Sequence, residues 1–354
     1  MKFLTTLLLI CFATLGFAQD AYRIQVEIKD YKQDELYLAY YLGDKQYIQD
    51  TVERADDGSY TFTGEEALKP GVYLIVTAPD NDFFQILITE EEQNFSIKTE
   101  MGEKQVAATK FRGSPDNTLF YKYLDFLNRM RPRGEAIQAK MEAADDAQKE
   151  KLQAELDGLS AEVLAYQHQL IAEHPQTMTA AIIKANLPPD MPEFEGTEEE
   201  QNLQRWRWTQ KHFFDNIDLS DGRLLRTPFL FSKVDYYVNK LQVQHPDTIS
   251  KAVDYVLQKM MPAEDMFQYY LIHFLNYYAA SKYVGMDAVY VHLVDNYYAK
   301  GLAPWTEEEQ LAKILDNANR LRPLLIGKQA PNITMQRRDG TPIALYDVKT
   351  PYTV

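Results

Sequence analysis

The side chains able to move protons or hold metals are few and scattered. Six histidines occur, His168, His174, His212, His245, His273 and His292. None falls in a His-Glu-x-x-His motif or at the i, i+4 spacing that sets two imidazoles on one helix face. His212, in Lys211-His212-Phe213-Phe214-Asp215-Asn216, and His292, downstream of Asp287, are each candidates for an Asp–His pair. Such a pair fixes the ring tautomer for general-base work, although most such pairs only brace a fold. There is no Gly-x-Ser-x-Gly nucleophile elbow and no phosphate-cradling glycine loop. The carboxylates read as solvated runs, Glu90-Glu91-Glu92 and Glu198-Glu199-Glu200, and a glycosidase pair among them is not recognisable by spacing. The single cysteine, Cys11, excludes a cysteine-built zinc or iron–sulfur site and any disulfide within the chain. The residues alone therefore assign no catalytic, cofactor-binding or metal-ligating position.

Composition narrows the classes further. Against 37 Lys and Arg stand 52 Asp and Glu, a net charge of −15 over 354 residues, which disfavours nucleic acid as a partner. A 45% hydrophobic share with 24 Tyr, 17 Phe and 3 Trp excludes a disordered chain and suffices for two or three cores.

The N-terminus reads as a secretory signal over residues 1–18. Lys2 is the positive end, Phe3–Ala13 the apolar run, and Gly16-Phe17-Ala18 the small-residue cleavage site before Gln19. An uncleaved anchor is the alternative, disfavoured by the short run. Cys11 is preceded by Ile10 rather than a small residue, so it reads as part of the signal and not as an acylation site. The mature chain is then expected to be exported, free of cysteine, and without a transmembrane segment.

From Tyr22 to Phe111 the apolar period is two. Tyr22, Ile24, Val26 and Ile28 alternate with polar residues, and similar runs recur at 35–42, 60–63, 72–77, 84–89 and 95–99, separated by Asp56-Asp57-Gly58, Lys69-Pro70-Gly71 and Pro79–Asp82. This predicts an antiparallel β-sandwich over 19–113. Ser114-Pro115 then opens a helix expected to stop at Pro132. A second helical stretch over 135–174 carries a heptad seam, Leu152, Leu156, Leu159, Val163, Tyr166 and Leu170, suited to an antiparallel hairpin within the chain or to an intermolecular coiled coil. A short helix, 178–187, precedes Pro188-Pro189 and an acidic loop. The rest of an all-α region, 114–326, is rich in tyrosine. Tyr269, His273 and Tyr277 share one helix face there, as core residues or as the wall of a groove for a peptide or glycan.

The tail breaks this pattern. Gly327-Lys328-Gln329-Ala330-Pro331 leads through Ile333-Thr334-Met335 to Asp339-Gly340 and Ile343-Ala344-Leu345, a strand–turn–strand hairpin, and Tyr352-Thr353-Val354 reads as the start of another strand. A lone hairpin is marginal in water, so 327–354 reads as the opening of an incomplete domain.

Gly327, Ala330-Pro331, Asp339-Gly340 and Leu345 together resemble the entry to the thioredoxin-like domain of exported TlpA/ResA-type thiol-disulfide oxidoreductases. The segment from Lys211 to Leu219, with Arg223-Leu224-Leu225-Arg226-Thr227-Pro228-Phe229 and Gly285–Leu293, is similar to the helical DUF5106 module of Bacteroidetes exported proteins. The sandwich, ending near Phe111-Arg112-Gly113-Ser114-Pro115, resembles the DUF4369 module that precedes it. The resemblance implies a periplasmic or cell-envelope protein in which a later Trp-x-x-x-Cys-x-x-Cys performs disulfide exchange. That dithiol is absent from this chain, so no exchange activity is expected of it. A disulfide-containing client protein, or a membrane electron donor, is the partner the resemblance implies for an intact parent. The alternative is a non-enzymatic envelope binding protein.

Overall fold

The computed structural model describes residues 20–351. The signal segment and the strand expected at Tyr352–Val354 lie outside them. The chain divides between Ala180 and Ala181 into two compact units.

The first unit is built on two four-stranded sheets. Strands β1 (Tyr22–Ile28), β2 (Glu35–Leu42), β3 (Lys45–Glu53), β4 (Tyr60–Gly64), β5 (Gly71–Thr77), β6 (Asp82–Ile88) and β7 (Asn94–Thr99) are followed by a helical turn, α1 (Gln105–Ala108), and β8 (Lys110–Arg112). One sheet runs β4-β1-β7-β8 and the other β3-β2-β5-β6. The alternation in β1 buries Tyr22, Ile24, Val26 and Ile28. A single core joins them to Tyr60, Phe62, Phe95 and Ile97 of their own sheet and to Leu36, Leu38, Ile75, Phe84 and Ile86 of the other. Each large side chain fully buried this way contributes roughly 1.5–3 kcal/mol. The expectation of a purely antiparallel arrangement is corrected: β1 pairs β4 antiparallel but β7 parallel, with Ile24 opposite both Phe62 and Phe95. The long connection between β1 and β7 permits this, whereas a tight hairpin would not.

Strand β3 has no counterpart among the period-two runs, because almost all of it is exposed and no face needs to be apolar. Its pairing with β2 defines it, and the glycine that ends the following turn, Gly58, sits at φ 86°.

Helix α2 (Pro115–Glu142) starts where Ser114-Pro115 indicates, with the Ser114 hydroxyl accepting the Asn117 N–H. It does not stop at Pro132, which lies inside it on the exposed face. The hydrogen bond lost there leaves the carbonyl of Asn128, an exposed residue, to water, so the helix continues at reduced local strength. The break comes at Ala143-Ala144, and Asp145 opens α3 (Asp146–Glu173) with a capping box to Gln148. The stretch 135–174 is therefore two helix segments rather than one. The leucine seam of α3 faces α2. The Phe126 and Tyr166 rings lie 4.2 Å apart, Gln167 Nε2 donates to the Tyr123 hydroxyl at 2.8 Å, and Leu159 packs beside Gly134.

Helix α4 (Met178–Asn186) spans the division. The second unit then holds α5 (Glu198–His212), α6 (Leu230–Tyr236), α7 (Pro246–Met260), α8 (Glu264–Ala279), α9 (Asp287–Leu293) and α10 (Glu308–Leu321). Its core takes one stripe from each of the longer helices: Ile249, Val253, Val256 and Met260 of α7, with Tyr270, Leu271, Phe274 and Tyr278 of α8. Two helices end in a single π-helical turn, Tyr237–Leu241 after α6 and Val294–Tyr298 after α9. The tail forms β9 (Thr334–Gln336) and β10 (Pro342–Ala344), paired antiparallel around Asp339-Gly340, with Gly340 at φ 83°. Among the described residues no helix is long and apolar enough to cross a membrane.

Candidate functional site

One polar cluster is assembled by α7, α9 and the π turn that follows α9. His292 Nε2 meets both oxygens of Asp254 at 2.9 Å, and the Tyr297 hydroxyl donates to Asp254 Oδ1 at 2.9 Å. The partner of His292 is thus Asp254 on another helix, not Asp287 on its own. Five residues apart on one helix, Asp287 and His292 point to different faces. Asn296 Nδ2 lies 3.1 Å from His292 Nδ1 and also donates to the His292 carbonyl, while Asn296 Oδ1 accepts from Lys300 Nζ at 2.9 Å. With Oδ1 committed to an ammonium, the asparagine presents only N–H to the ring, so Nδ1 accepts and Nε2–H donates to Asp254. Both ring nitrogens are consumed inside the protein, leaving none for a substrate proton.

The chemistry of the cluster is therefore cohesion: an Asp–His–Asn–Tyr latch across three elements. Asn296 follows His292 by four residues and so lies beside it along the winding, while Tyr297 of the same turn reaches Asp254 on α7. Burial, and next the bond to Asp254, push the Tyr297 phenol well above its ordinary value. Tyr297→Phe is expected to lower the stability of this unit by about 1 kcal/mol, with most of that loss abolished in an Asp254→Asn background, measured as a double-mutant cycle in urea. Additive losses would show that the two groups do not interact.

The second pair is local. His212 Nδ1 lies 2.6 Å from Asp215 Oδ2, and the Trp208 ring stacks on the imidazole at 4.4 Å. Here one ring nitrogen stays open, but no hydroxyl nucleophile bonds to it among the described residues. His273 sits between the rings of Tyr269 and Tyr277, at 6.3 and 6.1 Å, with Phe231 edge-on at 5.0 Å. This stripe is half core and half surface: Tyr270 and Tyr278 beside it are buried, while Tyr277 is 40% exposed. Nearby on α6 and α7, Tyr236 and Tyr255 are also exposed, linked through Phe213 and Tyr237 by ring contacts of 5.5 to 6.0 Å. Among the described residues no three His, Cys, Asp or Glu side chains come together as a metal-holding group.

Two carboxylates from the runs read as solvated turn out to cap helices. Glu200 closes the capping box of α5 with Thr197. Glu92 accepts from the Ser114 hydroxyl and, at 3.1 Å, from the Asp116 N–H at the start of α2. Asp116 in turn receives Met178 N–H at 2.7 Å, Thr179 N–H at 3.1 Å and the Thr179 hydroxyl at 2.5 Å, capping α4 from a distance. Asn117 pairs both its amide groups with the backbone of Leu87 on β6, at 2.7 Å each. These contacts are long-range, and the only trace of them in the sequence is Asp and Asn in the first turn of a helix.

No curated protein and no solved structure matches this chain significantly. Two family models do. Residues 22–120 match DUF4369 and residues 165–322 match DUF5106, each described as a domain of unknown function. The chain therefore carries a DUF4369 domain followed by a DUF5106 domain, in the order that its residues lead one to expect.

Proposed function

We propose that this chain is the scaffold and client-positioning portion of an exported thioredoxin-like thiol-disulfide oxidoreductase of the TlpA/ResA type, acting in the periplasm or cell envelope. The domains read as a sandwich over 19–113, a helical region over 114–326 and the opening of the redox domain from 327. The observation that carries the reading is the tail. Its Gly-x-x-Ala-Pro start, Asp-Gly turn and following leucine match the family's entry pattern. The segment also has an ordered form: β9 and β10 pair, the Tyr346 hydroxyl donates to the Ala330 carbonyl at 2.6 Å, and Tyr346 N–H to Asn332 Oδ1 at 3.1 Å. The order of the two domains before it supports the same architecture.

In this reading the sandwich and helices hold a client, or a membrane electron donor, against a dithiol that lies outside these residues. The described residues contain no cysteine, so the scaffold offers the reactive pair no competing thiol. Two measurements test the proposal. The coding sequence directly after Val354 is expected to continue in frame to a Cys-x-x-Cys. The chain as given is expected to leave insulin disulfides intact, and the continued chain to reduce them. A stop codon after Val354, or insulin reduction by this chain itself, overturns it.

A second reading, a non-enzymatic envelope binding protein, is favoured by the exposed tyrosines Tyr236, Tyr255 and Tyr277 on the helical unit. Aromatic surfaces of this kind stack on peptides and sugars. A stop codon would leave this reading standing.

A further inference from the structure

The sheet-bearing unit holds a cavity of about 360 Å³ flanked by α1, β8 and the first half of α2. Val106 and Ala107 of α1, Phe111 of β8 and Tyr121 of α2 line it, with the Phe111 and Tyr121 rings 4.8 Å apart. Its polar groups are already committed to the fold. The Tyr121 hydroxyl donates to the Gln85 carbonyl at 2.9 Å and accepts from Gln105 Nε2 at 3.2 Å. The Thr109 hydroxyl donates to the Gln105 carbonyl at 2.6 Å. The walls thus offer methyl groups and ring faces, the lining that small-molecule sites of about 300–1,000 Å³ share.

The rim is different. Lys110 and Lys122 line the same cavity and are exposed, and their ammonium groups have no hydrogen-bond or ion-pair partner among the described residues. The one carboxylate in the lining, Asp125, is held by Arg129 at 3.4 Å. The locality is therefore cationic in a chain of net charge −15. At physiological ionic strength charges beyond about 8 Å are screened, so these two ammonium groups, not the net charge, set the potential at the mouth.

We propose that this cavity binds a small organic monoanion with an aromatic or branched apolar body. The body lies against Phe111, Tyr121, Val106 and Ala107, and the carboxylate sits between Lys110 and Lys122. The site is independent of the oxidoreductase reading, because it uses neither the tail nor a thiol.

Phenylbutyrate and its neutral amide, phenylbutyramide, are the probes, titrated calorimetrically into the full chain. The acid is expected to bind one to one with a Kd of about 0.1–1 mM, and the amide about tenfold more weakly. Lys110→Gln with Lys122→Gln, both surface changes that leave the core untouched, is expected to weaken the acid about tenfold and leave the amide unchanged. Ala107→Trp, at an exposed wall position, is expected to abolish binding of both. Failure of the acid to bind, equal affinity for acid and amide, or undiminished binding in either variant overturns the proposal.

Discussion

Replacing Asp116 by Ala lowers the stability of the sheet-bearing unit by about 2–4 kcal/mol, the expected result for removing a carboxylate that accepts three hydrogen bonds at a helix N-terminus. Asp116 is only 5% exposed, so water does not replace it freely. The Met178 and Thr179 N–H groups would be left as buried, unpaired donors at the positive end of α4. Asn117→Ala is expected to act with similar size through strand β6 rather than helix α4. It removes the donor and the acceptor that satisfy the Leu87 backbone, and each unpaired group costs about 1–3 kcal/mol. Asp116→Asn keeps one acceptor oxygen but loses the charge, and should fall between wild type and Asp116→Ala. Urea unfolding followed by circular dichroism checks the series. A wild-type midpoint for Asp116→Ala would mean that α4 is capped by other groups.

The helical unit is expected to unfold cooperatively in alkali. Burial pushes the phenols of Tyr237 and Tyr298 up to about 12 from an ordinary 10.0, and raises those of Tyr270, Tyr278 and Tyr297 as well. Below pH 10 these groups are neutral whether the chain is folded or not, and their contribution is fully present. Between 10 and about 12 the unfolded chain releases protons that the folded unit retains. The unfolded state gains up to about 1.4 kcal/mol per tyrosine per pH unit as a result. Five such groups together remove roughly 7 kcal/mol per pH unit, enough to exhaust a stability of about 5–15 kcal/mol within one or two units. Tyrosinate absorbance should therefore include a steep stage that coincides with loss of helix, as the buried phenols ionise together when the unit opens. Tyr298→Phe should shift the steep stage to higher pH. A single smooth titration near pH 10 with helix content intact would show that these phenols are accessible in the native fold.

Most strands were legible because a half-buried strand must alternate. Tyr22, Ile24, Val26 and Ile28 announce β1, and the seam from Leu152 to Leu170 announces a helix with one packed side. Positions without such a constraint were silent. Strand β3 is exposed but for Asp50 and Val52, so almost no pattern marks it, and Pro132 sits on a wet helix face where the carbonyl it leaves unpaired is open to water. The same logic governs the candidate sites. The sequence offers Asp287 as a partner for His292, but only helix packing selects Asp254, because the choice depends on which faces of α7 and α9 meet. Glu92 looks like any member of an acidic run until its distance to the start of α2 is known.

What the sequence determined by itself is therefore the set of local periodicities, the two domains in their order, and the absence of a dithiol. These are properties of neighbours along the chain or of composition. The tertiary structure alone decided where buried polar groups find partners: the parallel pairing of β1 with β7, the caps supplied by Glu92 and Asp116, the closed Asp254–His292 latch, and the cavity rimmed by Lys110 and Lys122. Each depends on the relative placement of residues in different elements, and burial makes that placement energetically consequential because a polar group shielded from water must find its partner within the protein.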